Sequence, residues 1–125
     1  MPSQRVVARG FRDLTVWQKS HDFVLAIYAF TAVFPKHETF GLASQMRRAA
    51  VSIPANIAEG FRRRGRADEA RFMNLAESSL DECDYYLVLA QDLGYGNTEA
   101  LAPSLREVSR ILRAYAAALL SSSVP

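Results

Sequence analysis

Twenty consecutive residues, LASQMRRAAVSIPANIAEGF at positions 42–61, carry only three charges, Arg47, Arg48 and Glu59. As a helix they would span about 30 Å. At about 100° per residue, Leu42, Met46, Ala49, Ile53 and Ile57 fall on one face, as a core requires. The opposite side should meet water, yet Val51, Pro54, Ala55, Ala58 and Phe61 lie on it. A helix that is apolar nearly all round is normally buried all round. One small domain cannot easily surround its own helix, so these five residues are candidates for an oligomer interface.

Between the two apolar faces runs a polar stripe, Gln45, Arg48, Ser52, Asn56 and Glu59, whose steps of three and four residues stack the side chains along one edge. Two readings are open: a hydrogen-bonded network that fixes helix register, or a ligand site. The network is preferred, because buried polar groups need partners whatever the function. Pro54 cannot donate to the carbonyl of Ala50, and its ring crowds that turn. The apolar pattern continues from Met46 to Ile57, which favours one helix kinked at Pro54 over two separate pieces.

The rest of the chain reads as three more helices. Asp13 or Thr15 can cap the first, with Trp17, His21, Val24, Ile27, Tyr28, Thr31 and Phe34 at helical spacing and Pro35 as the stop. The third begins near Ala67, with a stripe of Phe72, Leu75, Ala76, Ser79, Cys83, Tyr86, Leu87 and Ala90 and an acidic side of Glu77, Asp81 and Asp84. GYGN at 94–97 closes it. The fourth starts at a Thr98 cap or at Ala102 and presents Leu101, Leu105, Val108, Ile111, Leu112, Tyr115 and Leu119. Residues 1–12 read as a flexible N-terminal arm, and 13–121 as one all-α domain, an up-down-up-down antiparallel four-helix bundle. The single cysteine, Cys83, excludes an intrachain disulfide framework and points to a reducing, cytoplasmic setting. No stretch has the character of a membrane helix.

Chemistry-bearing patterns are few. A di-metal bundle needs Glu-x-x-His pairs on facing helices, and neither His21 nor His37 has a Glu three residues earlier. Glycine-rich phosphate loops, zinc spacings and nucleophile elbows do not occur. The sequence therefore predicts no catalytic residue, no metal and no cofactor. Charge offers more. The net charge of +2 hides an asymmetry, since residues 1–66 hold eleven Lys or Arg against four Asp or Glu, and residues 67–125 hold four against nine. In a bundle, Arg62, Arg63, Arg64, Arg66 and Arg71 would meet Arg9 and Arg12 at one end, with Arg113 nearby. Such a cap attracts phosphate backbones. Phe11 and Phe61 are the only aromatic residues near it, so backbone contact is the expected mode. A solvated, charge-rich turn is the plainer alternative.

Four segments taken together, DLTVWQKS, FPKHETFGL, SQMRRAAVSIPANIAEGF and LAESSLDECDYYL, resemble the four-helix-bundle proteins encoded in 23S rRNA intervening sequences. The resemblance extends over about residues 11–115 and implies an antiparallel bundle assembled as a homopentamer. The related accessory variability determinant proteins of diversity-generating retroelements bind nucleic acid and a reverse transcriptase through a basic surface. By the same resemblance the family's polar positions fall on Gln45, Arg48, Ser52, Asn56, Glu59, Ser79 and Glu82. This adds the expectation that Arg48 pairs with Glu82 or Glu59, and Asn56 with Ser79 or with backbone near Pro54. Two functions follow: a non-enzymatic oligomer associating with RNA or DNA through its arginine-rich end, or a pentameric scaffold for a protein partner.

Overall fold

The computed structural model describes residues 8–121. Among them are four α-helices, α1 (Thr15–Thr31), α2 (Leu42–Phe61), α3 (Arg66–Asp92) and α4 (Ala102–Ser121), with short 3-10 turns at Phe11–Asp13 and Lys36–Glu38 and no strand. Helix α1 packs on α2 and α4, and α3 packs on the same two, so every helix has two neighbours around a shared interior. Phe23 and Ile27 of α1, Met46, Ile53 and Ile57 of α2, Met73 and Cys83 of α3, and Val108 and Leu112 of α4 fill that interior. Burying each large side chain contributes about 1.5–3 kcal/mol.

In α1 the buried stripe differs from the spacing-based expectation. Val16, Ser20, Phe23, Val24, Ile27 and Thr31 face inward, Trp17 is half-buried, and His21 and Tyr28 are exposed. Seating the Phe23 ring turns the inward face by only about 45°, less than half of one residue's arc, so Val24, Ile27 and Thr31 stay inside while His21 and Tyr28 meet solvent. His21 instead stacks on Trp17, with ring centroids 5.1 Å apart and planes at 4°. Neither Asp13 nor Thr15 caps this helix. Leu14 occupies that position, and the Asp13 carboxylate turns back to the amides of Arg9 and Gly10. Helix α1 ends at Thr31, since Pro35 has no N–H to donate to the Thr31 carbonyl and the Phe34 amide takes that acceptor instead.

Helix α2 has the bounds read from its sequence, and its helical assignment continues through Pro54. Glu38 closes its start by accepting the Leu42 amide at 2.9 Å. Its other carboxylate oxygen accepts the Tyr95 hydroxyl at 2.6 Å. Those two bonds, the tyrosine's first, hold the Glu38 carboxyl below the usual carboxylate range. Near the other end of α2, Gly60 lets α3 approach. A Cβ there would lie 2.7 Å from Phe72 Cβ and from Met73 Cε, and 3.2 Å from the Glu69 carbonyl oxygen.

Helix α3 carries Asp68 and Glu69 in its first turn, where the helix dipole favours acid. It buries Ala70, Met73, Ala76, Ser79, Leu80, Cys83, Leu87 and Ala90, while Leu75 is exposed. Gly94, at φ +78°, supplies the left-handed residue after its end. Helix α4 takes the later of its two possible starts. The Thr98 hydroxyl is engaged by Gln91, and the Thr98 carbonyl receives the amides of Leu101 and Ala102.

Candidate nucleic-acid interface

At one end of the molecule the 3-10 turn Phe11–Asp13 packs on both α1 and α2. Five bonds hold this segment. Asp13 N–H donates to the Gly10 carbonyl and Leu14 N–H to that of Phe11, the Asp13 carboxylate accepts the amides of Arg9 and Gly10, and Gln18 donates to the Arg12 carbonyl. Of the segment read as an arm, residues 1–7 lie outside the described residues, whereas Arg9 and Arg12 are docked. They join Arg62 and the rings of Phe11 and Phe61 around a cavity of about 550 Å³. Phe11 and Phe61 thus stand in the same hollow as three arginines.

The remaining arginines divide. Arg63 pairs with Glu59 at 2.9 Å and lies over the Phe72 ring, and Arg71 pairs with Asp68 at 3.0 Å and lies over the same ring. Arg9, Arg12, Arg62 and Arg64 form no ion pair among the described residues, and Arg66 is exposed beside them in sequence. The carboxylates at this end are otherwise occupied. Asp13 serves its own turn, and Glu69 accepts the Tyr115 hydroxyl at 2.7 Å. Burial first, and then Glu69, push that phenol above its ordinary range. Arg113 is not part of the cap, because it pairs with Glu77 on α3 at 3.4 Å.

The polar stripe is split in the same way. Ser52 and Ser79 share a short hydrogen bond between α2 and α3, and Asn56 donates to the Ser52 carbonyl at 2.8 Å. Of the two expected partners, Asn56 thus takes backbone near Pro54, the Ser52 carbonyl two residues before it, and not Ser79. Gln45, Arg48, Glu59 and Glu82 are exposed in the single chain, and Arg48 pairs with neither glutamate among the described residues. Arg48 and Glu59 are eleven residues apart, about three turns of one helix, too far to meet. The arginine that does bridge helices is its neighbour, Arg47. Its Nε donates to Thr31 Oγ1 at 2.8 Å, and its guanidinium lies 4.6 Å from the Tyr28 ring centre. Sequence spacing puts Arg47 off the polar stripe and Thr31 on the inward stripe of α1, and neither pattern says that the two meet across the helix pair.

The apolar outer face of α2 is largely as read. Val51 and Ala55 are exposed, and Ala58 and Phe61 are half-buried. Pro54 is the exception, being buried inside its own chain. The acidic side of α3 is also less bare than its sequence implied. Asp81 and Asp84 share a groove with Arg106, Arg110 and Arg113 of α4, so that face carries both signs of charge. Cys83 is fully buried, and burial, ahead of Glu82 and Asp84, pushes its thiol up to about 12. Such a thiol is a poor nucleophile. Among the described residues no group of three or more His, Cys, Asp or Glu is placed to hold a metal, and no helix is long and apolar enough to cross a membrane.

The family described as 23S rRNA-intervening sequence protein matches residues 12–116. The chain belongs to that family. A solved structure with the same arrangement is that of a protein of unknown function from the S23 ribosomal protein family of Bacteroides thetaiotaomicron VPI-5482, determined at 1.70 Å. It is 26% identical, covers 81% of this chain and 94% of its own, and superposes with a TM-score of 0.74. The comparison with curated proteins gives no match. The family match starts at Arg12, so the rest of the docked segment, from Arg9 to Phe11, lies just outside it and is assigned to the site by geometry alone.

Proposed function

We propose that this member of the 23S rRNA-intervening sequence family is a non-enzymatic, oligomeric protein that associates with nucleic acid through its arginine-rich end. The observation that carries the reading is the convergence of Arg9, Arg12 and Arg62 on one cavity, with no ion pair to offset them among the described residues. Guanidinium groups without a carboxylate partner favour phosphate, and the effect multiplies if several copies present them together. The bundle is taken as up-down-up-down and antiparallel, with α2 bent at Pro54. The turn of only four residues between α2 and α3 supports that connectivity. Five copies form the assembly, as the family resemblance implies, with Val51, Ala55 and Ala58 beneath a neighbouring subunit. Val51 is 42% exposed in the single chain, which supports such a cover.

Fluorescence anisotropy with labelled RNA and DNA tests the nucleic-acid claim. Binding at low salt that falls on replacing Arg9, Arg12, Arg62 and Arg64 supports it. Absence of binding, or no change in the variant, ends it. Light scattering on the same samples reports the subunit number, and a monomer at micromolar concentration overturns the ring. A second reading, a scaffold for a protein partner, has support in Tyr85 and Val88, which are 60% and 53% exposed on α3. A stoichiometric protein partner that survives nuclease treatment and is lost on Tyr85→Ala would favour it.

A further inference from the structure

Phosphate contact accounts for the arginines of the cavity but not for its two phenyl rings. We propose that the hollow lined by Phe11, Phe61, Arg9, Arg12 and Arg62 is a subsite for one unpaired nucleotide, its base against the rings and its phosphate on the guanidinium groups. This inference rests on the reading of the arginine end as a nucleic-acid contact and adds to it a preference for single strands.

Three features carry the assignment. The volume, about 550 Å³, lies within the range of sites that enclose small ligands. The rings are held in place rather than free to swing. Phe11 sits in a hydrogen-bonded turn and packs on Trp17 with centroids 5.1 Å apart, and Trp17 is in turn stacked on His21. Phe61 is the last residue of α2 and is half-buried. Aromatic surface positioned before binding costs little ordering entropy when a base lands on it. The third feature is charge. Asp13 is the one carboxylate lining the cavity, and it is already engaged by the amides of Arg9 and Gly10. It forms no ion pair among the described residues, and its single negative charge against three arginines leaves the cavity with an excess of positive charge for an external anion.

Base-on-aromatic stacking accepts any base but needs an exposed π-face, which a base inside a duplex does not offer. The site should distinguish strands by whether their bases are free. The test uses the full chain, a short labelled oligouridine, an abasic strand of the same length and phosphate count, and a duplex of that length. The expected result is that oligouridine binds roughly ten- to a hundred-fold tighter than the abasic strand. Phe11→Leu and Phe61→Leu, which keep apolar bulk but remove the ring face, should lower oligouridine affinity toward the abasic value. Both should leave the abasic affinity unchanged, which shows that the variants are folded and their arginines in place.

Equal affinity for oligouridine and the abasic strand overturns the subsite while leaving the electrostatic contact standing. So does a duplex that binds as tightly as oligouridine, or leucine variants that bind oligouridine like the parent. If none of the three ligands binds at low salt, the nucleic-acid reading and the subsite fall together.

Discussion

Gly60→Ala offers a test in which two opposing effects of similar size predict opposite signs. Within a helix, replacing glycine by alanine ordinarily stabilises by about 1 kcal/mol, since the backbone has less freedom to lose. Here the new methyl would come within 2.7 Å of Phe72 Cβ and Met73 Cε and 3.2 Å of the Glu69 carbonyl oxygen. The Met73 terminus can move aside. Phe72 Cβ and the Glu69 carbonyl cannot, because both belong to or adjoin the α3 backbone. Overpacking of this kind costs typically 1–3 kcal/mol, so the expected net effect is a loss of about 1 kcal/mol. For a chain of this size that lowers Tm by about 4 °C. Gly65→Ala is the control, because nothing lies within 4 Å of its added Cβ and its φ of −91° suits any residue. It should melt within about 1–2 °C of the parent. Thermal denaturation by far-ultraviolet circular dichroism, at equal protein concentrations so that assembly is matched, reads both. A Gly60→Ala protein that melts above the parent would refute the close approach of α2 to α3.

Other features make shorter predictions. Arg47→Ala removes a charged hydrogen bond to Thr31 and should cost about 1–2 kcal/mol, measured by denaturant unfolding, with Arg47→Lys recovering part of it. The Cys83 thiol, buried and with its pKa pushed up to about 12, should resist a thiol-reactive dye at pH 8 in the folded protein and react promptly once unfolded. Glu38 has a folded pKa below its unfolded value. Its contribution is therefore present above the ordinary carboxylate pKa and is lost as pH falls through the lowered one. The difference in Tm between the parent and Glu38→Gln should shrink between neutral and acidic pH, and a constant gap would show that the capping bond is not charge-assisted.

The bounds of α2 were legible because its apolar spacing is unbroken and its ends are marked by Gly41 and by the run FRRRG. Its inward face was legible for the same reason. The face of α1 was not, because Trp17, His21 and Tyr28 complete one acceptable stripe around Val24, Ile27 and Thr31, and Val16, Ser20 and Phe23 complete another. Periodicity alone cannot choose between them; the volume that Phe23 fills does. The Arg47 bridge to Thr31 was hidden for a different reason, because spacing along each helix does not say which residues meet across the pair. The arginine cap was predictable as far as topology reached, gathering Arg9, Arg12 and Arg62. Topology could not say which arginines have nearby carboxylates, and Arg63, Arg71 and Arg113 each pair with one. The stripe Gln45, Arg48 and Glu59 has helical spacing but faces outward in the single chain, because spacing records which side chains share an edge and not what lies over that edge.

The central claim is that Arg9, Arg12 and Arg62 meet phosphate, and the salt dependence of RNA affinity tests it most directly. For single strands, log K falls with log[salt] by about 0.7 per phosphate neutralised. The protein with all three arginines replaced by alanine should show a slope shallower than the parent's by about 2 for each cavity engaged. A triple variant with the parent's slope would place the phosphates elsewhere and contradict the account.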